Sequence, residues 1–261
     1  MLTDAVCFIE LKAHWLKDMF TGFFKGIGYA LSGFSLITQK GIRPFVVIPL
    51  LVNIGVFSGA IWLAKSQFDV LMAKMLAWLP SWLFWLEWLL WPIFAILIFI
   101  VVFYSFTIIA NLIAAPFNSL LAERVEQKLN GQPIPEFQGY KTALKNAGKA
   151  IASELSKVLY SLRWLPVLII ISIIPVVNFI APFAWAIYGA WMLSLQYTDF
   201  AMGNHQLFVK DELPLLRKNR SMALGFGGIL TVLMMIPIVN FFVMPVGVAG
   251  GAAFWVKRLS K

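Results

Sequence analysis

Four long stretches of the chain contain no charged residue, and each is bounded by a charged residue at both ends. They cover residues 44–64, 88–122, 164–198 and 221–256. The first has 21 residues, and at about 1.5 Å per residue such a helix covers roughly the 30 Å hydrocarbon thickness of a bilayer. The pattern predicts an all-α integral membrane protein that forms a single membrane domain over residues 1–261.

The first two stretches predict two long transmembrane helices. Residues 44–64 match one crossing, whereas the 35 residues of 88–122 are too long for one. Pro92 and Pro116 bound 23 predominantly apolar residues that fit a tilted span. After Pro116 the pattern becomes amphipathic and stops at Asn130-Gly131. The second span, 88–130, is therefore expected to continue as a helix into the cytoplasm.

The last two stretches each contain a similar internal break. The sequence IPVVNF at 174–179 resembles IPIVNF at 236–241. Proline removes a helical N–H donor and asparagine favours turns, so residues 164–198 and 221–256 each predict a helical hairpin. The arms of the later hairpin have about 15 residues, or roughly 23 Å, which predicts a re-entrant hairpin rather than two crossings. Two thin spans with the same sidedness remain an alternative for each hairpin.

The N-terminal segment 1–43 contains a different helical pattern. Large apolar residues recur at helical spacing along one face of residues 20–37, namely Phe20, Phe23, Phe24, Ile27, Leu31 and Phe34. Lys25, Ser32 and Ser35 lie largely opposite them. This pattern predicts an N-terminal helix that lies in the membrane interface. In the first span, Gly55 and Gly59 offer a small-residue face for pairing helices within or between protomers, and ordinary packing is the alternative.

Composition and charge exclude most other classes of protein. Apolar residues make up 61% of the chain, and the mean hydropathy is +0.83, which excludes an ordinary soluble enzyme. Residues 1–43, 123–163, 199–220 and 257–261 contain 19 of the 21 Lys and Arg residues. The hairpin model places all four segments on one side of the membrane. The net charge of +9 favours anionic lipids or anionic solutes as partners, and no nucleic-acid module is recognisable.

The polar residues of the apolar stretches carry no charge, which favours passive conduction over proton coupling. Asn53 and Asn111 are our candidates for lining a pore, since neutral donors replace part of an ion's water shell; the alternative is that they only link helices. Glu123 is a candidate for a charged mouth beside Arg124 and Glu126, and a solvated salt-bridge face is the alternative. One cysteine and two distant histidines predict no metal or other cofactor.

The sharpest motif is QKGIRP, residues 39–44, directly before the first span. Pro44 suits the first position of a helix, and Gly41 permits backbone conformations that other residues avoid. Free N–H groups at the helix start and the Arg43 guanidinium together predict an anion pocket. The alternative is that Arg43 only anchors the helix end at the lipid interface.

Several blocks resemble one known family. They are GIRPFVVIPLLVN at 41–53, SQFDV at 66–70, TIIANLIAAPFNSLLAE at 107–123, AWMLSLQYTDF at 190–200, the pair Asn204-His205 and MIPIVNFFVMP at 235–245. Together they resemble the CysZ sulfate permease family of bacterial inner membranes. The resemblance covers about residues 25–257.

The resemblance implies a fold and a function. It implies two long membrane helices plus two hemi-penetrating helical pairs, assembled as a homodimer or higher homo-oligomer among membrane lipids. It implies sulfate uptake into the cytoplasm for cysteine biosynthesis, with sulfate bound by Gly41, Ile42 and Arg43. Relatives often have a second arginine where this chain has Pro44, so we expect weaker or differently arranged sulfate binding.

The leading interpretation is a sulfate channel or uniporter, and not an enzyme. The alternative is a non-conducting membrane scaffold or assembly factor, in which the hairpins are docking elements. An embedded lipid-modifying enzyme is disfavoured, because no buried acid, histidine pair or activated nucleophile occurs in the apolar stretches.

Overall fold

The structure is a computed structural model of the chain. It describes residues 2–78, 80, 85, 87–131 and 140–261. Side chains are described at residues 16–68, 70–78, 80, 85, 88–89, 91–105, 117–131 and 155–261.

Every regular element in these ranges is helical, which confirms the all-α prediction for the described part of the chain. The eight α-helices found there are α1 (Leu2–Ile37), α2 (Pro44–Ala77), α3 (Glu87–Asn130), α4 (Tyr140–Ile173), α5 (Ala181–Asn204), α6 (Val209–Lys218), α7 (Arg220–Met234) and α8 (Pro237–Phe254). A 3₁₀ turn at Val177–Ile180 precedes α5, and a π-helical turn at Trp255–Leu259 follows α8.

The chain divides into two compact units. The larger unit contains residues 1–43 and 118–261, and the smaller contains residues 44–117. The smaller unit therefore holds α2 and the first part of α3. In it, the Phe68 ring packs edge-on against Trp91 at a centroid distance of 5.4 Å. The same ring lies tilted against Phe94 at 5.7 Å.

The core of the larger unit is built where α1, α5, α7 and α8 meet at glycines. A Cβ atom added to Gly26 of α1 would lie 2.0 Å from the Met222 carbonyl oxygen of α7. One added to Gly33 would lie 2.1 Å from the Val246 carbonyl oxygen of α8. Any side chain at these positions would force the helices apart. Glycine therefore sets the distance between these helices.

The same device joins α5 to α7 and α8. A Cβ atom at Gly227 would lie 1.7 Å from the Ala190 carbonyl oxygen, and one at Gly251 would lie 2.4 Å from the Tyr197 carbonyl oxygen. Helices in lipid gain little from hydrophobic burial, so close backbone approach and van der Waals contact take its place. Glycines therefore determine how closely the helices of this bundle pack.

Helix α1 packs through its small residues and not through its aromatic face. Gly26, Ala30 and Gly33 are buried, whereas Phe24 is 64% exposed and Phe20 is 58% exposed. The apolar stripe predicted to face the interface thus remains open to the surroundings. The buried stripe binds α1 to α7 and α8.

The repeated IPxVNF sequences coincide with two helix breaks. Helix α4 ends at Ile173, directly before the first repeat, and α7 ends at Met234, just before the second. The backbone N–H of Asn178 donates to the Ile174 carbonyl oxygen at 3.0 Å, and that of Asn240 donates to the Ile236 carbonyl oxygen at 2.9 Å. Each asparagine therefore closes its turn through its backbone. Both asparagine side chains are exposed.

Four helical segments are long and apolar enough to cross a membrane within the described ranges. They are Pro44–Phe68, Leu155–Ile173, Val177–Asn204 and Pro237–Leu259. Trp91–Ser105 and Arg220–Met234 are shorter apolar helices. Of the two arms that flank the second repeat, the 15-residue α7 has the length expected of a re-entrant hairpin. The other arm, Pro237–Leu259, is long enough to cross, as are both segments that flank the first repeat, so the re-entrant arrangement stays a prediction.

Helices α4 and α5 are joined by polar contacts that the sequence did not reveal. The Lys157 ammonium lies 2.7 Å from the Asp199 carboxylate, and the Lys157 side chain is only 5% exposed. The Trp191 indole N–H donates to the Tyr160 hydroxyl at 3.1 Å. A buried ion pair thus flanks the apolar stretch 164–198.

We predict that Gly227→Ala destabilises the protein while Gly228→Ala does not. The added methyl group at residue 227 meets the α5 backbone, and such overpacking typically costs about 1–3 kcal/mol. At Gly228, no described atom lies within 4 Å of an added Cβ, so the change from glycine to alanine stabilises the helix by up to about 1 kcal/mol. Thermal unfolding in detergent measures both. Equal melting temperatures would contradict the close approach of α5 and α7.

Candidate anion-binding site

The QKGIRP motif forms a tight turn between α1 and α2. Gly41 has a φ of +87°, in the left-handed region that glycine adopts without strain. The Ile42 side chain is 1% exposed and anchors the turn in the larger unit. Pro44 begins α2, as expected for a residue whose missing N–H is not needed there.

The Arg43 side chain folds back over this turn. Its Nε–H donates to the Thr38 carbonyl oxygen, and the Thr38 hydroxyl donates to the Ser35 carbonyl oxygen at 2.9 Å. Arg43 is exposed, and no carboxylate of the described residues forms an ion pair with it. Its terminal nitrogens therefore remain available to an anion.

A second cation approaches the turn from the end of α3. The Lys128 ammonium lies 3.5 Å from the Lys40 carbonyl oxygen and donates a weak hydrogen bond to it. Lys128 is 88 residues from Lys40 in sequence, so no local motif indicates this contact. The structure thus brings Lys40, Arg43 and Lys128 to one exposed turn.

The backbone of the turn differs from the expected pocket. The N–H groups of Ile42 and Arg43 both donate to the Gln39 carbonyl oxygen, at 3.1 and 3.3 Å. They are therefore used within the turn, and an anion would rely on side-chain cations and on the N–H of Gly41. A free backbone donor at Ile42 was expected, because local sequence does not show which donors a turn consumes.

The end of α3 is held against α5 and α8. The Asn204 side-chain amide donates to the Ser119 carbonyl oxygen at 2.9 Å. The His205 Nε2 atom lies 2.7 Å from the Glu126 carboxylate, and the His205 ring packs 5.3 Å from the Trp255 ring. These contacts fix the helix that carries Lys128.

Glu123 and Glu126, in the part of α3 that precedes Lys128, have different surroundings. Glu126 is buried and paired with His205, so the expectation of a wholly solvated salt-bridge face is wrong for this residue. Glu123 is partly exposed. Partial burial raises the pKa of the Glu123 carboxyl above its usual value; Arg124 lowers it and Glu126 raises it further, both by smaller amounts.

The neutral pore candidates lie in different parts of the chain. The Asn53 side-chain oxygen, in the smaller unit, is buried and has no hydrogen-bond partner among the described residues. The Asn111 backbone lies in α3, and its side chain is outside those described. In the larger unit the buried Asn118 amide nitrogen also has no partner within the described ranges. Its donor makes Asn118 a further candidate, and its place in an apolar helix is the only sequence signal for it.

No group of three or more metal-ligating side chains occurs in the part of the chain that the structure describes. The groups gathered at the 38–43 turn are the cations Lys40, Arg43 and Lys128 and backbone donors. Such groups suit a small oxyanion that accepts several hydrogen bonds at once.

Comparison with known proteins assigns the family. Residues 29–245 match the model of the family described as Sulfate transporter CysZ/Etoposide-induced protein 2.4. The chain belongs to this CysZ/EI24 family. The match confirms the family resemblance, and it includes the 38–43 turn, both IPxVNF repeats and the end of α3.

Several bacterial members of the CysZ/EI24 family are similar over nearly their whole length. Two are named Sulfate transporter CysZ in Pseudomonas fluorescens: the Pf0-1 protein is 40% identical over 89% of this chain and 93% of its own, and the Pf-5 protein is 42% identical over 89% and 94%. The protein of the same name from Pectobacterium atrosepticum is 37% identical over 89% of this chain and 85% of its own.

We predict that Glu123→Gln changes how stability depends on pH. A raised folded-state pKa means that the folded protein holds the Glu123 proton more tightly than the unfolded chain does, so stability falls as the pH rises above about 4.5 and through the raised pKa. Glutamine has no carboxyl proton to give up, so Glu123→Gln does not lose stability in this way. The melting temperature of Glu123→Gln relative to the parent protein should therefore increase between pH 4.5 and 7. A constant difference across this range would contradict the raised pKa.

Proposed function

We propose that this protein conducts sulfate across a bacterial inner membrane to supply cysteine biosynthesis, and that Arg43 and Lys128 bind the anion at the cytoplasmic mouth of its path. The observation that carries the proposal is the exposed turn at 38–43, where both cations lie within a member of a family whose bacterial relatives are named sulfate transporters. Those names favour a transporter over an enzyme and over a non-conducting scaffold.

The electrostatics of the turn suit a transient dianion. Sulfate accepts hydrogen bonds on four oxygens, and the Arg43 terminal nitrogens offer a planar fork of donors. The exposed Gly41 backbone lets an anion approach without meeting a Cβ atom. Only two or three cations face it, and all of them are near water, so the anion is held weakly enough to leave.

Neutral groups are proposed to carry sulfate through the membrane. The buried side-chain oxygen of Asn53 has no hydrogen-bond partner among the described residues, so we propose that this amide faces the path of the ion. Asn111 is proposed for the same role from the sequence alone. The charge-free stretches contain no Asp, Glu, Lys, Arg or His, which favours passive movement down the sulfate gradient.

The membrane arrangement is proposed to include two spans, the N-terminal interfacial helix and two re-entrant hairpins in a homodimer or larger homo-oligomer. Both hairpin turns expose large apolar side chains, with Val176 at 84% and Ile238 at 78%. These faces must be covered by lipid or by another copy of the chain. If copies of the chain assemble through these turns, the turns and the polar groups near them would line one sulfate path shared by the copies.

We predict that Arg43→Gln lowers sulfate uptake into liposomes reconstituted with the purified protein. A hydrogen bond to a charged group contributes about 1.5–3 kcal/mol, so the half-saturating sulfate concentration should rise by about tenfold or more. Lys128→Gln should give a smaller rise. Because both cations face one turn, the two effects should not add.

Arg163→Gln is the matched control, since Arg163 is an exposed arginine of α4 and not part of the turn. Melting temperature and gel filtration show that each variant is folded. Unchanged sulfate uptake and binding in folded Arg43→Gln would defeat the assignment of Arg43.

A further inference from the structure

A long apolar cleft lies between α4, α5 and α7 in the larger unit. Its volume is about 660 Å³, and its walls are mainly aromatic and aliphatic, including Trp164, Leu168 and Leu224. The wall contributed by α4 runs from Tyr160 to Ile171. These eleven residue steps correspond to about 17 Å of helix, close to half of the roughly 30 Å hydrocarbon thickness. The cleft thus has the length of one membrane leaflet.

Two arginines line this otherwise apolar cleft. Arg217 of α6 and Arg220 of α7 are both exposed. In the described part of the chain, neither pairs with a carboxylate. Two unpaired guanidinium groups at an apolar surface indicate a ligand that is both anionic and apolar.

The arginines lie at one end of the cleft. His205, just after α5, packs on Trp255, and the Arg258 guanidinium, one turn later, donates to the Asn219 side chain at 2.9 Å. The start of α7 therefore lies at the same end of the bundle as the end of α5. The hydrogen bond from the Trp191 indole N–H to the Tyr160 hydroxyl lies toward that end. Ile171 and Ala184 line the opposite, apolar part of the cleft.

A smaller polar cavity extends the positive surface beyond Arg220. This cavity of about 300 Å³ is lined by Arg220, Lys218 and Arg258, with Asp18 as its acidic residue. It adjoins the N-terminus of α7, whose free N–H groups add partial positive charge. The charged end of the cleft thus offers several donors to one anionic group.

We propose that this cleft binds an anionic phospholipid. Arg217 and Arg220 bind its phosphate, and one acyl chain lies along α4 between Trp164 and Ile171. A free oxyanion would leave the apolar wall unfilled, and the cationic headgroup of a zwitterionic lipid would be repelled by the same arginines. The site is separate from the 38–43 turn and does not depend on sulfate conduction.

Native mass spectrometry of the full-length protein in detergent tests the proposal. The probes are dioleoyl phosphatidylglycerol, dioleoyl phosphatidylcholine and inorganic phosphate. We expect phosphatidylglycerol to bind about tenfold or more tightly than phosphatidylcholine, since each basic residue near a headgroup adds appreciable affinity. Arg217→Gln together with Arg220→Gln should remove this preference, and Arg163→Gln should keep it.

A second pair of variants tests the acyl-chain part of the site. Ala184 lines the cleft, whereas Ala186 is an exposed residue of the same helix outside its lining. Ala184→Trp should fill the cleft and weaken phosphatidylglycerol binding by about tenfold, and Ala186→Trp should not.

Three results would overturn the proposal. They are equal binding of the two lipids by the parent protein, an unchanged preference in the folded double arginine variant, and phosphatidylglycerol binding that Ala184→Trp leaves intact. Inorganic phosphate binding as tightly as the lipid would instead show a plain anion site. Sulfate uptake is measured in parallel on the same proteins. Loss of lipid selectivity with normal uptake, or loss of uptake with normal lipid selectivity, shows which of the two proposals fails.

Discussion

Close backbone approach at glycines is the constraint on which the rest of the larger unit depends. Helices α1, α5, α7 and α8 meet where a single methyl group would collide with a neighbouring carbonyl. Lipid gives helices little reason to associate through large apolar side chains, so contact distance decides which helices pair. This bundle carries the 38–43 turn at the end of α1 and receives the end of α3 through His205. The separation between Arg43 and Lys128 is thus set by the packing of glycines far from either cation.

The two anion-related surfaces use arginine in different settings. At the 38–43 turn, Arg43 is exposed and bonded only to the backbone of its own turn, which suits a small ion that must bind and leave. In the cleft, Arg217 and Arg220 border a long apolar wall, which suits a lipid that stays. Both sites use arginine, so the type of cation does not distinguish them. The apolar surface beside the arginines is what would hold a lipid in the cleft for longer than an ion stays at the turn.

The sequence predicted the elements better than their contacts. Charge-free stretches and the two IPxVNF repeats indicated where helices run and break, because those features are local. The glycines that pack helices in the larger unit include Gly26 and Gly33, whereas Gly55 and Gly59 meet no described atom within 4 Å of an added Cβ. Pairing of Gly55 and Gly59 between copies of the chain stays a prediction. A glycine stripe alone does not show which side has a neighbour. Lys128 and the Glu126–His205 pair were missed for the same reason, since each joins residues distant along the chain.

Sulfate flux into liposomes that contain only this protein tests the central claim most directly. Labelled sulfate is supplied outside, with no proton gradient and no membrane potential imposed. The account predicts saturable uptake that stops when the inner and outer concentrations are equal. Uptake no greater than that of protein-free liposomes, or uptake that appears only when a proton gradient is applied, would contradict it.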